Sequence, residues 1–273
     1  MYEDVLIATD GSEVASDAAS VGVSFAQTLE VTVHVLAVVE SSSAGSAQRD
    51  KRESDAETVE AKAANAGCDV RLDVRTGRPA DEILSYTDEH DIDAIVVGTH
   101  GRTGLRQALL GSVALAVIRD ASVPVLTVGA DAVWTDSIDD VLLATDGMSG
   151  AAAATEQALS IAAACDATVH TLYAIDVDPD VPELQEGFEE HGRSVTTGVA
   201  DRATERGLDA TTTLVHGPPH EVIGEYAAEE DVDLLVMGTE SKSNLERLVV
   251  GSVSQRVVPD APVPVLTART IER

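Results

Sequence analysis

Three glycines and a serine in the first half of the sequence have a spacing that could hold a phosphate group. Gly98 and Gly101 are separated by two residues, and nine residues then lead to Gly111 and Ser112. Glycine lets backbone N–H groups approach an anion without obstruction by a Cβ atom. We expect Ser112 to cap the helix that follows, whose first free N–H groups would add to a phosphate site. Arg102 supplies a cation close by in sequence.

Asp10 follows the first apolar run of the chain, as Gly98 follows a later one. In an open parallel sheet, ligands bind at the carboxyl ends of the strands, where these residues would meet. Each feature also has a purely structural explanation. Asp10 and Glu13 fit a capping box, Gly98 fits a tight turn, and Gly111 with Ser112 fits a helix start. Their convergence on one edge of a sheet favours a nucleotide site.

Short apolar runs and amphipathic stretches alternate along the first half of the chain. The runs predict strands at Val5–Thr9, Thr32–Val39, Val70–Thr76, Ala94–Val97 and Val123–Val128. The stretches between them predict helices, including Lys51–Ala66, a helix that opens at Pro79, and Val113–Ile118. This alternation is typical of a parallel sheet with helices on both faces.

The second half of the chain repeats the first. The segment DVLIATDG at Asp4–Gly11 returns as DVLLATDG at Asp140–Gly147, and IDAIVVG at Ile92–Gly98 returns as VDLLVMG at Val232–Gly238. The order and near-constant offset of these matches predict two copies of one domain in tandem. We place the domains at residues 1–130 and 138–273, each of a common domain size.

The charge of the chain indicates the solvent to which the protein is adapted, but it does not indicate an activity. Lys and Arg number 18 against 48 Asp and Glu, which gives a formal net charge of −30. Such a surface repels nucleic acids and anionic membranes, so neither is an expected partner. Acidic excess with only three lysines favours adaptation to a high-salt cytoplasm, and an ordinary acidic protein is the alternative. The first residues carry no signal-peptide pattern, so we expect a cytoplasmic protein.

Other chemistries have little support in the sequence. Cys68 and Cys165 share no metal-type spacing, and no metal site is predicted. The Walker-type phosphate loop and the Gly-x-Ser-x-Gly nucleophile motif are both missing, and no catalytic residues are predicted.

The pattern Gly98-x2-Gly101-x9-Gly111-Ser112, with Asp10 after the first strand, resembles the ATP-binding motif of the universal stress protein family. The resemblance covers practically the whole chain as two family domains. It implies two Rossmann-like domains, similar to the adenine nucleotide alpha hydrolases, each with a five-stranded parallel sheet of order 3-2-1-4-5. It also implies ATP as the ligand, with AMP or ADP as alternatives and Mg²⁺ as a companion of ATP. The residues implied to bind it are Ala8, Asp10, Val38, Val97, Gly98, His100, Gly101, Arg102, Gly111, Ser112 and Val113.

The second copy departs from this motif. Ser241 stands where the first copy has Gly101, and Glu240 stands where it has His100, which would direct a negative charge toward phosphates. The residues that remain for a second site are Asp146, Gly238, Gly251, Ser252 and Val253. For this domain AMP, weakly held ATP and no nucleotide stay open as alternatives.

These observations favour a protein that binds ATP in a stress response and is regulatory, without rapid catalysis. Two alternatives remain: a slow ATP hydrolase or transferase on the same site, and a nucleotide-free scaffold that binds an unknown protein partner. The family resemblance further implies that the two domains pair within the chain, with a homodimer as an additional expectation.

Overall fold

The computed structural model describes residues 2–40, 45–100, 110–135, 137–178, 180–239 and 251–270. The chain divides into two compact units, Met1–Ala132 and Val133–Arg273. Each unit alternates strands with helices, as the sequence predicts.

The first unit contains five strands and four helices within its described residues. In chain order they are β1 (Asp4–Thr9), α1 (Glu13–Leu29), β2 (Thr32–Glu40), α2 (Ser46–Asn65), β3 (Val70–Gly77), α3 (Pro79–Glu89), β4 (Ala94–Gly98), α4 (Ser112–Asp120) and β5 (Val125–Val128). The strands lie in the order β3-β2-β1-β4-β5, and each neighbouring pair is parallel. The predicted fold class and strand order are therefore confirmed.

The second unit has the same arrangement within its described residues. Its elements are β6 (Asp140–Ala144), α5 (Ala152–Cys165), β7 (Thr168–Ile175), α6 (Pro182–Glu205), β8 (Ala210–His216), α7 (Pro219–Glu229), β9 (Leu234–Gly238), α8 (Ser252–Asp260) and β10 (Val265–Ala268). The strand order is β8-β7-β6-β9-β10, again with parallel neighbours. A short 3₁₀ turn at Ser149–Ala151 precedes α5.

The core of each unit lies along its central strands. Every residue of β6 after Asp140 is buried, and β2 is buried from Val33 to Val39. Apolar runs of this kind are expected of parallel strands that are covered on both faces. The central strands are therefore buried between helices, and the candidate site residues lie at their carboxyl ends.

Two of the predicted elements begin two or more residues away from their start in the structure. Helix α2 begins at Ser46 and not at Lys51, because its N-cap residue is Gly45, whose lack of a side chain gives no capping signal. Strand β5 begins at Val125 and not at Val123, since Pro124 has no N–H to donate to a neighbouring strand.

Candidate functional site

Asp10 lies in a tight turn between β1 and α1. Its Oδ1 atom accepts a hydrogen bond of 2.9 Å from the backbone N–H of Ser12, and Gly11 has a φ of +69°. Ser12 is the N-cap of α1, and its hydroxyl accepts a hydrogen bond of 3.2 Å from the N–H of Ala15. The capping box between Asp10 and Glu13 is therefore wrong, because Asp10 lies two residues before the cap.

The same turn recurs at the end of β6. Asp146 Oδ1 accepts a hydrogen bond of 2.9 Å from the N–H of Met148, and Gly147 has a φ of +71°. The turn is followed by the 3₁₀ turn in place of a serine-capped helix. Both units thus present an aspartate at the carboxyl end of their central strand.

The carboxyl ends of β4 and β9 pack closely on the neighbouring helix starts. A Cβ atom on Gly98 would lie 3.1 Å from the backbone oxygen of Val14, and one on Gly238 would lie 2.7 Å from that of Gly150. Neither glycine has a positive φ. These two glycines therefore allow close packing, and the interpretation of Gly98 as a turn glycine is wrong.

A backbone hydrogen bond holds the start of helix α4 beside the end of β4. The N–H of Gly111 donates a hydrogen bond of 2.7 Å to the carbonyl oxygen of Thr99, and Gly251 makes the equivalent bond to Thr239. The N-cap residue of α4 is Gly111, and no side chain caps the helix. The prediction that Ser112 caps α4 is wrong, because Ser112 is already the first helical residue. The first turn of α4 therefore keeps N–H groups without intrahelical partners.

His100 follows β4 and is half-buried. Its Nδ1 atom lies 2.9 Å from the hydroxyl of Thr99. Its Nε2 atom is buried and has no hydrogen-bond partner among the described residues. A buried polar atom of this kind costs free energy until a partner satisfies it.

The remaining residues implied for the first site lie on the same edge or outside the described part. Ala8 is in β1, Val38 in β2 and Val97 in β4, and Val113 is in the first turn of α4. Val38 and Val97 have buried side chains, so β2 and β4 offer their backbone at these positions. Gly101 and Arg102 lie outside the described residues.

A cavity of about 400 Å³ lies at the carboxyl ends of β6, β7 and β9 in the second unit. Its lining includes all five residues of the second candidate site, Asp146, Gly238, Gly251, Ser252 and Val253. The apolar part of the lining includes Ala144, Leu172, Ile223 and Met237. A space of this size and composition is typical of a small-molecule site.

A buried arginine that is not among the expected site residues lies behind Asp10. Arg52 of α2 is 7% exposed and donates hydrogen bonds to the backbone carbonyl of Asp10 and, at 3.1 Å, to Asp55. The Nε atom of Arg52 has no partner among the described residues. The signal was present in the sequence, because Arg52 falls on the buried stripe of α2 with Ala56, Val59 and Ala63.

The equivalent place in the second unit holds an aromatic ring. The buried stripe of α6 is Gly192, Thr196, Val199 and Ala203, so Gly192 corresponds to Arg52. A Cβ atom on Gly192 would lie 2.7 Å from Cδ1 of Tyr173. Ala8 and Ala144 are equivalent in the repeat, and they pair with Leu36 and Leu172, so the next residue of each strand, Ala37 and Tyr173, also correspond. The pair Arg52 and Ala37 of the first unit is thus replaced by Gly192 and Tyr173 in the second unit.

The described residues contain no group of three or more His, Cys, Asp or Glu side chains able to hold a metal ion. Among the helices within these ranges, none has the length and apolar character needed to cross a bilayer.

Comparison with known proteins agrees with this architecture. A universal stress protein of Methanocaldococcus jannaschii is 35% identical over 137 residues, which are 47% of this chain and 81% of that protein. A putative universal stress protein of Staphylococcus aureus is 33% identical over 144 residues, 49% of this chain and 85% of that protein.

A solved structure reproduces the fold over the whole chain. The crystal structure of a universal stress protein from Archaeoglobus fulgidus has a TM-score of 0.73 at 22% identity, covering 97% of this chain and 98% of that one. The sequence profile described as "Universal stress protein family" matches twice, at residues 1–129 and 137–269. Two matches in tandem agree with the internal repeat and with the two compact units. The chain therefore belongs to the universal stress protein family.

Proposed function

We propose that this protein binds ATP in its first unit and acts in a stress response as a regulatory binding protein without rapid turnover. One observation carries the proposal. The second unit, which has the less complete glycine pattern, forms a cavity of about 400 Å³ at the carboxyl ends of its own strands, where its copy of the pattern lies. The first unit has the same strands and helices at the carboxyl ends of its strands, together with the complete pattern.

The residues of the first unit suit an anionic ligand at this edge. The buried Nε2 atom of His100 needs a partner, which a phosphate oxygen would supply. The first turn of α4 adds N–H groups and the positive end of a helix dipole, which favour an anion. Together with Gly101 and Ser112, these groups would hold the phosphates.

The adenosine part would lie nearer the central strands. Asp10 and Ala8 would lie beside the nucleoside, the backbone of Val38 would contact the base, and Val97 with Gly98 would line the ribose. Mg²⁺, when it accompanies ATP, would neutralise phosphate charge. The chain itself would bind and orient the nucleotide, and the bound state would be the signal that a partner detects.

The proposal is tested by isothermal titration of ATP into the full chain at one fixed high salt concentration. We expect one tight site per chain and a second site that is at least tenfold weaker, equivalent to about 1.4 kcal/mol. Two sites of equal affinity would contradict the assignment to the first unit, and absence of any binding would leave the scaffold alternative.

A reciprocal exchange between the units makes the test specific. His100→Glu places at the first site the residue that the second copy carries at Glu240, and ATP affinity should fall more than tenfold while the thermal midpoint changes little. Glu240→His is the matched control in the other unit and should leave the tight site unchanged. An unaltered affinity in His100→Glu would mean that His100 does not contact the phosphates. Turnover of ATP by the unaltered protein at a rate comparable to ordinary enzymes would favour the hydrolase alternative.

A further inference from the structure

We infer that the cavity of the second unit takes an uncharged purine nucleoside in preference to a phosphorylated one. The inference rests on the proposed function, because it concerns the second copy of the same site. It follows from the shape of the cavity, from the charges on its lining, and from the residues exchanged between the two units.

The cavity offers an apolar floor and an aromatic side chain to a flat ligand. Leu172, Ile223 and Met237 line it together with Phe188 of α6. Phe188 is 42% exposed, although large apolar side chains are usually buried. When α2 and α6 are aligned by their buried residues, Gln48 of the first unit corresponds to Phe188. An aromatic ring at the edge of an apolar cavity is suited to stack on a nucleobase.

The charges on the lining disfavour phosphate. Asp146 and Asp176 both line the cavity, and none of its described lining residues is an arginine, a lysine or a histidine. The N-terminus of α8 contributes roughly half a positive charge. This is smaller than the combined negative charge of the two carboxylates. A carboxylate only accepts hydrogen bonds, so Asp146 and Asp176 suit the hydroxyl groups of a ribose.

Gly192 stands where the first unit has a buried arginine. Arg52 donates to the carbonyl of Asp10 in the first unit, whereas in the second unit the ring of Tyr173 lies where a side chain at Gly192 would start, and Nε2 of the exposed His191 lies 3.3 Å from the carbonyl of Asp146. A permanently charged guanidinium is therefore replaced by an imidazole and by aromatic surface. Both changes favour a neutral, planar ligand over an anionic one.

The chain carries a built-in probe for this cavity. It contains three methionines, and two of them, Met148 and Met237, line the cavity. Carbon-13 labelled methionine methyl groups in the full-length protein therefore report on this site by NMR, with Met237→Leu to assign the signals. Adenosine should shift both methyl signals in a saturable way at concentrations at least tenfold lower than ATP requires.

Two outcomes would overturn the inference. One is an ATP affinity at these methyl groups that equals or exceeds that of adenosine. The other is the absence of a methyl shift with either ligand. Calorimetric ATP binding without a methyl response would leave the proposed function intact and reject only this inference, whereas no calorimetric binding would reject the proposed function itself.

Substitutions separate stacking from charge. Phe188→Gln, which installs the residue of the first unit, should weaken adenosine binding about tenfold, equivalent to about 1.4 kcal/mol. Leu184→Gln on the same helix is the control, because Leu184 is 51% exposed and does not line the cavity. Equal losses in both variants would contradict the stacking role.

The charge argument is tested by restoring the arginine. The double variant Tyr173→Ala with Gly192→Arg should gain at least tenfold in AMP affinity at the methyl groups. Tyr173→Ala with Gly192→Gln is the uncharged control, and circular dichroism checks that both are folded. If the arginine variant folds and gains nothing over its control, the charge argument is wrong. If it does not fold, the ratio of adenosine to ATP affinity in the unaltered protein still decides the inference.

Discussion

Gly98 and Gly238 hold corresponding positions at the ends of β4 and β9, but they differ in how closely another backbone segment approaches: the start of α1 at Gly98 and the 3₁₀ turn at Gly238. A Cβ atom would meet backbone oxygen at 3.1 Å at Gly98 and at 2.7 Å at Gly238. The first distance needs a small adjustment, and the second forces backbone to move.

We expect Gly238→Ala to destabilise its unit by about 1–3 kcal/mol, and Gly98→Ala to cost less, because overpacking against backbone is poorly relieved. Gly224→Ala is the control, since Gly224 lies inside α7 with open space around its Cβ position and should gain about 0.5–1 kcal/mol. Chemical denaturation of the three variants provides the comparison. Equal effects at Gly98 and Gly238 would contradict the packing explanation.

Sequence reasoning at the residue scale located the glycines and aspartates but missed the groups behind them. The spacing from Gly98 to Ser112 is visible in the printed chain, because its members are near one another in sequence. The exchange of Arg52 and Ala37 for Gly192 and Tyr173 joins residues of different elements, and it emerges only when strand register and helix stripe are known. The caps were assigned to Asp10 and Ser112, because residue type alone does not fix the cap position within a turn.

A repeated chain of hydrogen bonds fastens the third helix of each unit to its central strands. In the first unit, His34 Nε2 lies 2.8 Å from Asp4 and Nδ1 lies 2.9 Å from the hydroxyl of Tyr86. A neutral imidazole that donates to Asp4 and accepts from Tyr86 satisfies all three groups. The second unit repeats this chain with Asp140, His170 and Tyr226.

Burial lowers the pKa of His34 below its ordinary value of 6.5, and the charges of Arg71 and His90 lower it further, although Asp4 acts in the opposite direction. Between 6.5 and the lower pKa of the folded state, the unfolded chain binds a proton at His34 that the folded chain does not. The free energy of unfolding should therefore decrease as the pH falls from above 6.5 toward the lower folded pKa.

The contribution of His34 is measured as a difference between variants. The slope of the free energy of unfolding against pH should be smaller in His34→Gln than in the unaltered protein between about pH 7.5 and 5, because only this titration is removed. Leu184→Gln, at an exposed position in α6 without a titratable side chain, should retain the original slope. A slope that is the same in all three proteins would show that His34 does not titrate differently on folding.

Most elements were predictable because alternating apolar runs and amphipathic stretches fix strands and helices locally. The strand β1 was predicted from Val5 and begins at Asp4, and α3 begins at Pro79 as predicted. The start of α2 was not predictable, since Gly45 offers no capping side chain. The residues around the cavity come from distant elements, so its volume and lining emerge only from their packing.

The large negative charge of the whole molecule opposes folding and is not accounted for by the packing of its core. A formal net charge of −30 repels itself, and salt reduces this repulsion. The screening length is about 30 Å at 0.01 M salt and about 3 Å at 1 M. We propose that the protein is adapted to a high-salt cytoplasm.

We expect the helical circular dichroism signal and cooperative unfolding to be lost in dilute buffer and recovered at molar potassium chloride. Replacing the exposed acids Asp50, Glu53 and Glu57 of α2 by their amides should shift recovery to lower salt. Full secondary structure in dilute buffer, or an unchanged salt requirement in the amide variant, would contradict an electrostatic origin.

Because Tyr173 and Gly192 are in contact, replacing either one alone by its counterpart from the first unit should destabilise the second unit. Gly192→Arg alone introduces a side chain whose Cβ lies 2.7 Å from the tyrosine ring, whereas Tyr173→Ala alone leaves a void. The two changes together should be less harmful than the sum of the single changes, with a coupling of about 0.5–3 kcal/mol in a double-mutant cycle. Additive losses would show that the side chains do not share one space. With such a coupling, each single variant is less stable than the double variant. Stepwise substitution from one residue pair to the other therefore passes through a less stable protein.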